Sequence, residues 1–215
     1  MNLDALQEAC LAHLQAHMSG DPAHDIQHVK RVVKNTIYLT DIEQANHAIT
    51  VPSAWLHDCY SVPKDSPQRN QASRLAARQA IRFLKQISYP EQHLPAIEHA
   101  IEAHSFSAGI ETKTLEARIV QDADRLEALG AIGIARCLLT GGSLGSELYH
   151  EDDPFCLERE PADRDYAIDH FYAKLFTLPE TMKTDAGRIE ASRRVAYMKA
   201  FLDQLRGEIE GSLES

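Results

Sequence analysis

Apolar residues recur at three- and four-residue spacing along almost the whole chain, and runs of alternating Val, Ile and Thr are absent. That periodicity predicts an all-α fold. A first helix over Leu3 to Met18 stops at Ser19-Gly20-Asp21-Pro22, a cluster holding both helix breakers. The next runs from His24 towards Gln44, with Val29, Val32, Val33 and Ile37 inward and Lys30, Arg31 and Lys34 towards solvent. A short third helix is expected from Pro52 to Asp58, with proline in the tolerated early position. Ser61 to Pro67 holds two prolines and reads as a loop. Further helices are predicted from Gln68 to Gln86, from Pro95 to Ala103, and from Leu115 past Gly130 and Gly133 towards Leu139, the glycines permitting close packing. Two more, Tyr166 to Phe176 and Arg188 to Ile209, close the chain. The Gly- and acid-rich stretch from Thr140 to Pro161 is long for a structural connection and reads as a lid or an excursion.

At 215 residues one domain buries roughly 70% of its unfolded surface, so no metal or disulfide staple is needed for a core. The expectation is a single domain over 1–215, with a core at about 20–130 and C-terminal helices at about 163–210 packed on it. The net charge of −10 repels phosphate backbones, which argues against long nucleic acid but leaves small phosphorylated molecules open. No stretch approaches the roughly 20 apolar residues of a membrane span, so no membrane partner is expected. The opening residues carry acids and no Lys or Arg, which points to the cytoplasm. Cys10, Cys59, Cys137 and Cys156 form no CxxC or close pair and read as reduced thiols packed as small hydrophobes. The oligomeric state stays open.

Most of the eleven histidines sit among polar neighbours without metal-ligand spacing, including His13, His17, His47, His93, His99 and His150. Three segments differ. His24 and His28 lie one helical turn apart, His57-Asp58 places ionisable groups at the end of the apolar run Ala54-Trp55-Leu56, and Asp122 and Asp124 point to nearly opposite sides of a helix. One of those two aspartates should face inward. A buried carboxylate needs a cation or several donors, so Asp58 needs a partner. Two imidazoles and two carboxylates from three helices suit an octahedral metal such as manganese or iron, with open positions for metal-assisted hydrolysis. Taken singly, each segment is more often a satisfied core hydrogen bond than a catalytic group.

Taken in order, the segments resemble the HD-domain metal-dependent phosphohydrolase superfamily, whose signature is matched here by His28, His57-Asp58 and Asp124. The blocks HDIQHVKRV, LHDCYSVPKDSPQRNQAS, IEAHSFSAG, QDADRLEALGAIGIAR and DHFYAKLFTLPETMKTDAGR are similar to a bacterial subgroup that includes nucleotide pyrophosphohydrolase-like proteins, over roughly residues 20 to 205. The resemblance implies a helical HD fold and one divalent cation on His28, His57, Asp58 and Asp124. It also implies manganese as the favoured metal, with Fe2+, Ni2+, Co2+ or Mg2+ as alternatives, and a nucleotide as substrate. A second, weaker metal position near His24, Asp25 and His104 stays open. One departure concerns proton transfer: several HD phosphohydrolases place a Glu or a Gly-Lys shortly after the His-Asp pair, where this chain has Cys59-Tyr60-Ser61.

Phosphoryl transfer needs positive charge around the phosphate oxygens. Lys64, in the proline-stiffened loop after Asp58, is the first candidate and Arg69 the second, although a loop lysine is more often merely solvated. His104 ends a helix and suits phosphate binding or leaving-group protonation, or simply the helix dipole. His170 and Lys174, four apart, and Arg125 beside Asp124 are further substrate candidates with plain packing or salt-bridge alternatives. Asp58 or an outer histidine is expected to orient the attacking water. The expected activity is a nucleoside triphosphate pyrophosphohydrolase; the alternatives are a nucleoside monophosphate phosphatase on the same site and a nucleotide-binding sensor without turnover. A zinc-peptidase reading of His24-Asp25-Ile26-Gln27-His28 fares worse, because Asp is a methylene shorter than the general-base Glu and the reading leaves His57-Asp58 and Asp124 idle.

Overall fold

Helices carry the regular structure, as the periodicity predicts. The computed structural model describes residues 2–17, 26–60, 71–105 and 108–211. Among these no strand forms, and pairing is limited to an isolated parallel bridge between Glu147 and Tyr166. No helix among them is long and apolar enough to cross a membrane. The chain divides into two compact units, Met1–Asp124 with Lys183–Ala186, and Arg125–Met182 with Gly187–Ser215.

The first unit contains α1 (Leu3–His17), α2 (Ile26–Glu43), α3 (His47–Leu56), α4 (Ala72–Gln86), α5 (Leu94–His104) and α6 (Leu115–Arg125), whose last residue begins the second unit. The helix α3 packs against α1, α2, α4 and α5. Every residue from Thr50 to Leu56 is buried, the behaviour of a helix that is apolar all round. Removing the Leu56 side chain to Ala would cost about 2–5 kcal/mol.

This helix starts five residues before the predicted position, because Asn46 caps it by accepting the Ala48 amide at 2.9 Å. Pro52 is therefore interior, not early, and leaves the Ala48 carbonyl without its helical amide. The Tyr89 hydroxyl donates to that carbonyl at 2.8 Å and so satisfies the acceptor that the proline leaves open. The segment Lys183–Ala186 is tied to the first unit by side-chain acceptors: Asp122 takes the Lys183 and Thr184 amides and the Thr184 hydroxyl, and Glu43 takes the Ala186 amide at 2.8 Å.

The second unit holds a 3-10 turn (Leu126–Ala128), α7 (Gly130–Leu144), α8 (Asp169–Ala173), a second 3-10 turn (Leu175–Thr177), α9 (Leu178–Thr181) and all but the first two residues of α10 (Asp185–Glu210). The continuous helix expected past Leu129 is broken there. Leu129 is extended and Gly130 adopts φ +71°, a conformation that disfavours side chains, with the Arg194 Cγ 3.3 Å from where a Cβ would stand. Arg194 also donates to the Leu126 carbonyl at 2.7 Å, fixing the end of the preceding turn. At Gly133 a Cβ would collide with the Ala128 carbonyl oxygen, so this glycine does serve close packing.

The helix expected from Tyr166 starts later, at Asp169, because the Ala167 and Ile168 amides donate to the Glu147 and Leu148 carbonyls at 2.8 and 3.0 Å. It also ends sooner, at Ala173. The first residues of the presumed excursion are helical, since α7 continues to Leu144 and closes on Gly145 at φ +80°. Beyond it, Asp153 accepts the Leu157, Glu158 and Arg159 amides, and Arg159 makes a two-pronged ion pair with the fully buried Asp169. The core of this unit forms around Phe171, whose ring lies 6.0 Å from Phe176 and 6.5 Å from Phe201.

Candidate metal centre

Two helix ends in the first unit create the site. His57 follows α3 as its C-cap and His104 is the last residue of α5. The last carbonyls of a helix lack amide partners, and each histidine curls back onto one three residues earlier. His57 Nδ1 donates to the Ala54 carbonyl at 2.7 Å and His104 Nδ1 to the Ile101 carbonyl at 2.6 Å. With Nδ1 committed as donor, the neutral ring carries its lone pair on Nε2. Both Nε2 atoms therefore present lone pairs to the same place, the Asp58 carboxylate, at 3.4 Å from Oδ2 and Oδ1 respectively.

His28, in the first turn of α2, completes the imidazole set, with its ring 5.6 Å from that of His57. Ligand atoms of His28, His57 and Asp58 all lie within 4.8 Å of one another. Asp124, near the end of α6, brings Oδ1 to 3.4 Å from His28 Nε2 and 3.9 Å from His57 Nε2. The helix α6 is held for this by Gln121, which donates to the Ala103 carbonyl at 2.7 Å, and by Asn35, which donates to the Ala123 carbonyl at 3.3 Å.

The charges converge on one position suited to a cation. Burial pushes Asp124 up, yet the hydrogen bond from His28 and the nearby His57 bring its carboxyl down to about 2. Burial likewise opposes ionisation of Asp58, and His57 and His104 hold it well below the usual carboxylate range. Burial would lower the His57 imidazole, but the Asp58 and Asp124 carboxylates outweigh it and raise the pKa. His57 Nε2 is fully buried and makes no hydrogen bond among the described residues. A buried polar nitrogen left unpaired beside two carboxylates is unfavourable by itself and fits a divalent cation held by two imidazoles and two carboxylates.

Of the residues picked out by sequence, His28, His57, Asp58, Asp124 and His104 come together. Lys64 and Arg69 lie outside the described residues, as do His24 and Asp25. Arg125, beside Asp124, directs Nη1 to the Thr181 carbonyl at 2.7 Å. His170 lies 3.0 Å from Asp163 through Nδ1, and Lys174 is exposed just beyond α8. Cys59, next to Asp58, donates to the Ala76 carbonyl, and burial pushes its thiol up to about 12, so it stays protonated.

The expectation that one of Asp122 and Asp124 faces inward holds for Asp122, which is fully buried, while the Asp124 side chain at the cluster is 31% exposed. The work of Asp122 is structural, accepting the donors of Lys183 and Thr184. Gln121 is not among the residues singled out by the sequence. The signal available was a polar residue inside the apolar face of α6, where burial demands a hydrogen-bond partner.

The chain is similar to known proteins over most of its length. The HD domain family model matches residues 25–129. YpgQ of Bacillus subtilis (strain 168) is 31% identical over 192 residues, covering 87% of this chain and 85% of YpgQ. A crystal structure of YpgQ in complex with ADP superposes with a TM-score of 0.70 at 27% identity, covering 95% of each chain. An HD-superfamily hydrolase from Bacillus thuringiensis gives a TM-score of 0.73 at 30% identity, covering 95% of this chain and 96% of its own.

Proposed function

The chain belongs to the HD-domain superfamily, and on that premise we propose that it is a divalent-metal-dependent phosphohydrolase acting on a small nucleotide, of the nucleoside triphosphate pyrophosphohydrolase type. The observation that carries the reading is the buried, unpaired Nε2 of His57 between two ionised carboxylates. The nucleotide part is supported by the ADP complex of YpgQ.

In this reading His28, His57, Asp58 and Asp124 hold the cation, with manganese favoured. When bound, such an ion activates a water and polarises a phosphoryl oxygen. The protein's own part is proton handling and charge balance. His104 has Nδ1 fixed on Ile101, so Nε2 exchanges protons with the attacking water, and Asp58 Oδ1 holds the resulting imidazolium. Cys59 takes no part, being a protonated thiol bound to a carbonyl. Lys64 and Arg69 are assigned to the phosphate oxygens on chemical grounds.

The test is product analysis after manganese is added to chelator-stripped protein with nucleoside mono-, di- and triphosphates, alongside Asp124→Ala. Pyrophosphate released from triphosphates and lost in the variant supports the proposal. Inorganic phosphate from monophosphates would instead make the protein a nucleotidase. Metal binding through Asp124 without cleavage of any nucleotide would overturn the enzyme reading in favour of a sensor.

A further inference from the structure

The second unit contains a cavity of about 750 Å³ built by its own residues. This is within the roughly 300–1,000 Å³ typical of small-molecule sites. One wall is a single face of α7, where Gly133, Arg136, Thr140 and Leu144 follow at three- and four-residue spacing. The opposite wall comes from the segment leading into α8. Gly141 brings the two together, since a Cβ on it would stand 2.8 Å from the Ala167 Cβ.

The described lining holds more guanidinium groups than carboxylates. Among the described lining residues Asp163 is the one carboxylate, and it faces the His170 imidazole at 3.0 Å. Arg136 and Arg164 add two guanidinium groups to the same concavity, in a chain whose net charge is −10. Two guanidinium groups lining one concave surface favour an anion there. Leu144 and Leu175 give the rest of the wall an apolar character.

We propose that this cavity binds a small organic phosphate monoester, with the phosphate on Arg136 and Arg164 and the organic part against Leu144 and Leu175. A phosphate dianion presents three oxygens and nearly two charges to two planar donor forks, whereas a carboxylate offers two oxygens and one charge. His170, first noticed in the sequence as a substrate candidate, is a wall of this site, held by Asp163. None of these residues belongs to the metal cluster, so the inference stands apart from the phosphohydrolase reading.

Isothermal titration of the full chain with phenyl phosphate tests it, using wild type and Asp124→Asn to separate the cavity from the metal cluster. One site is expected, with the same affinity in both, weakened about tenfold or more by Arg136→Gln or Arg164→Gln. Benzoate is expected to bind at least about tenfold more weakly. Arg164 is exposed, so its variant should fold whatever becomes of Asp124→Asn. Binding that disappears with Asp124→Asn yet ignores Arg164→Gln would overturn the proposal, as would no binding, or benzoate binding as tightly as phenyl phosphate. Cys137 lines the same cavity, and phenyl phosphate is expected to slow its alkylation by iodoacetamide at least threefold, roughly the protection half to three-quarters occupancy gives. An unchanged alkylation rate would count against it.

Discussion

Nε2 of His104 faces Oδ1 of Asp58 across 3.4 Å, while Nδ1 of the same ring is committed to the Ile101 carbonyl. The pair joins the end of α5 to the turn after α3, and it leaves His104 one nitrogen with which to move protons. His104→Gln keeps a polar side chain but cannot titrate. Turnover is expected to fall about 10²- to 10⁴-fold with metal content unchanged, measured by steady-state kinetics and elemental analysis on the same sample. Loss of metal in parallel with activity would show that His104 is a ligand.

The two aspartates of α6 are expected to separate metal binding from folding. Asp124→Ala is expected to purify with little or no divalent metal and to lose at least about tenfold in metal affinity, the lower end of what even outer partners of a metal ligand cost. Asp122→Asn should retain the metal and instead lower the thermal midpoint, because the Lys183 and Thr184 amides then share one oxygen where they had two. Equal metal loss in both variants would contradict this division.

Tyr89 compensates for Pro52. Tyr89→Phe leaves the Ala48 carbonyl without its hydroxyl donor beside the most buried helix of the first unit. The expected cost is about 1–3 kcal/mol, or roughly 2–4 °C of melting temperature for each kcal/mol. A melting curve superimposable on wild type would mean that water takes the place of the hydroxyl.

Acid should weaken the second unit through Asp169. Burial pushes its carboxyl up, but the Arg159 guanidinium and the Ala162 amide outweigh that and hold it below the usual value. A carboxyl lowered on folding contributes stability above its unfolded pKa of about 3.9 and loses it as pH falls through the folded value. Asp169→Asn is expected to cost about 2–3 kcal/mol at neutral pH, less than a wholly buried pair because the Arg159 side chain is 19% exposed. That difference should shrink below about pH 4, as urea midpoints at several pH values would reveal. A gap independent of pH would place the role of Asp169 in its shape and not its charge.

Much of the candidate site could be read in one dimension because its parts are local. The His57-Asp58 doublet interrupts an apolar run, and Asp124 and His28 sit on helices whose apolar faces declare themselves. The cap at Asn46 is equally local, and it moves the start of α3 from the predicted Pro52 back to His47, which makes Pro52 an interior residue. Other departures had no local signal. Tyr166 to Ile168 have helical spacing, yet their segment gives amides to carbonyls some twenty residues earlier.

Helix class and the length of most helices follow from spacing alone, since a turn of helix is closed within four residues and burial imposes its period on the chain, whereas the candidate metal ligands His28, His57, Asp58 and Asp124 are singled out by their ordered match to the family signature. Which polar group meets which depends on folding. Asp122 and Asp124 are chemically the same and two residues apart, but one meets backbone amides 61 and 62 residues away and the other meets His28. The same holds for the lone pairs of His57 and His104. Their direction is set by carbonyls at the ends of α3 and α5, and their meeting at Asp58 exists because those two helices pack together.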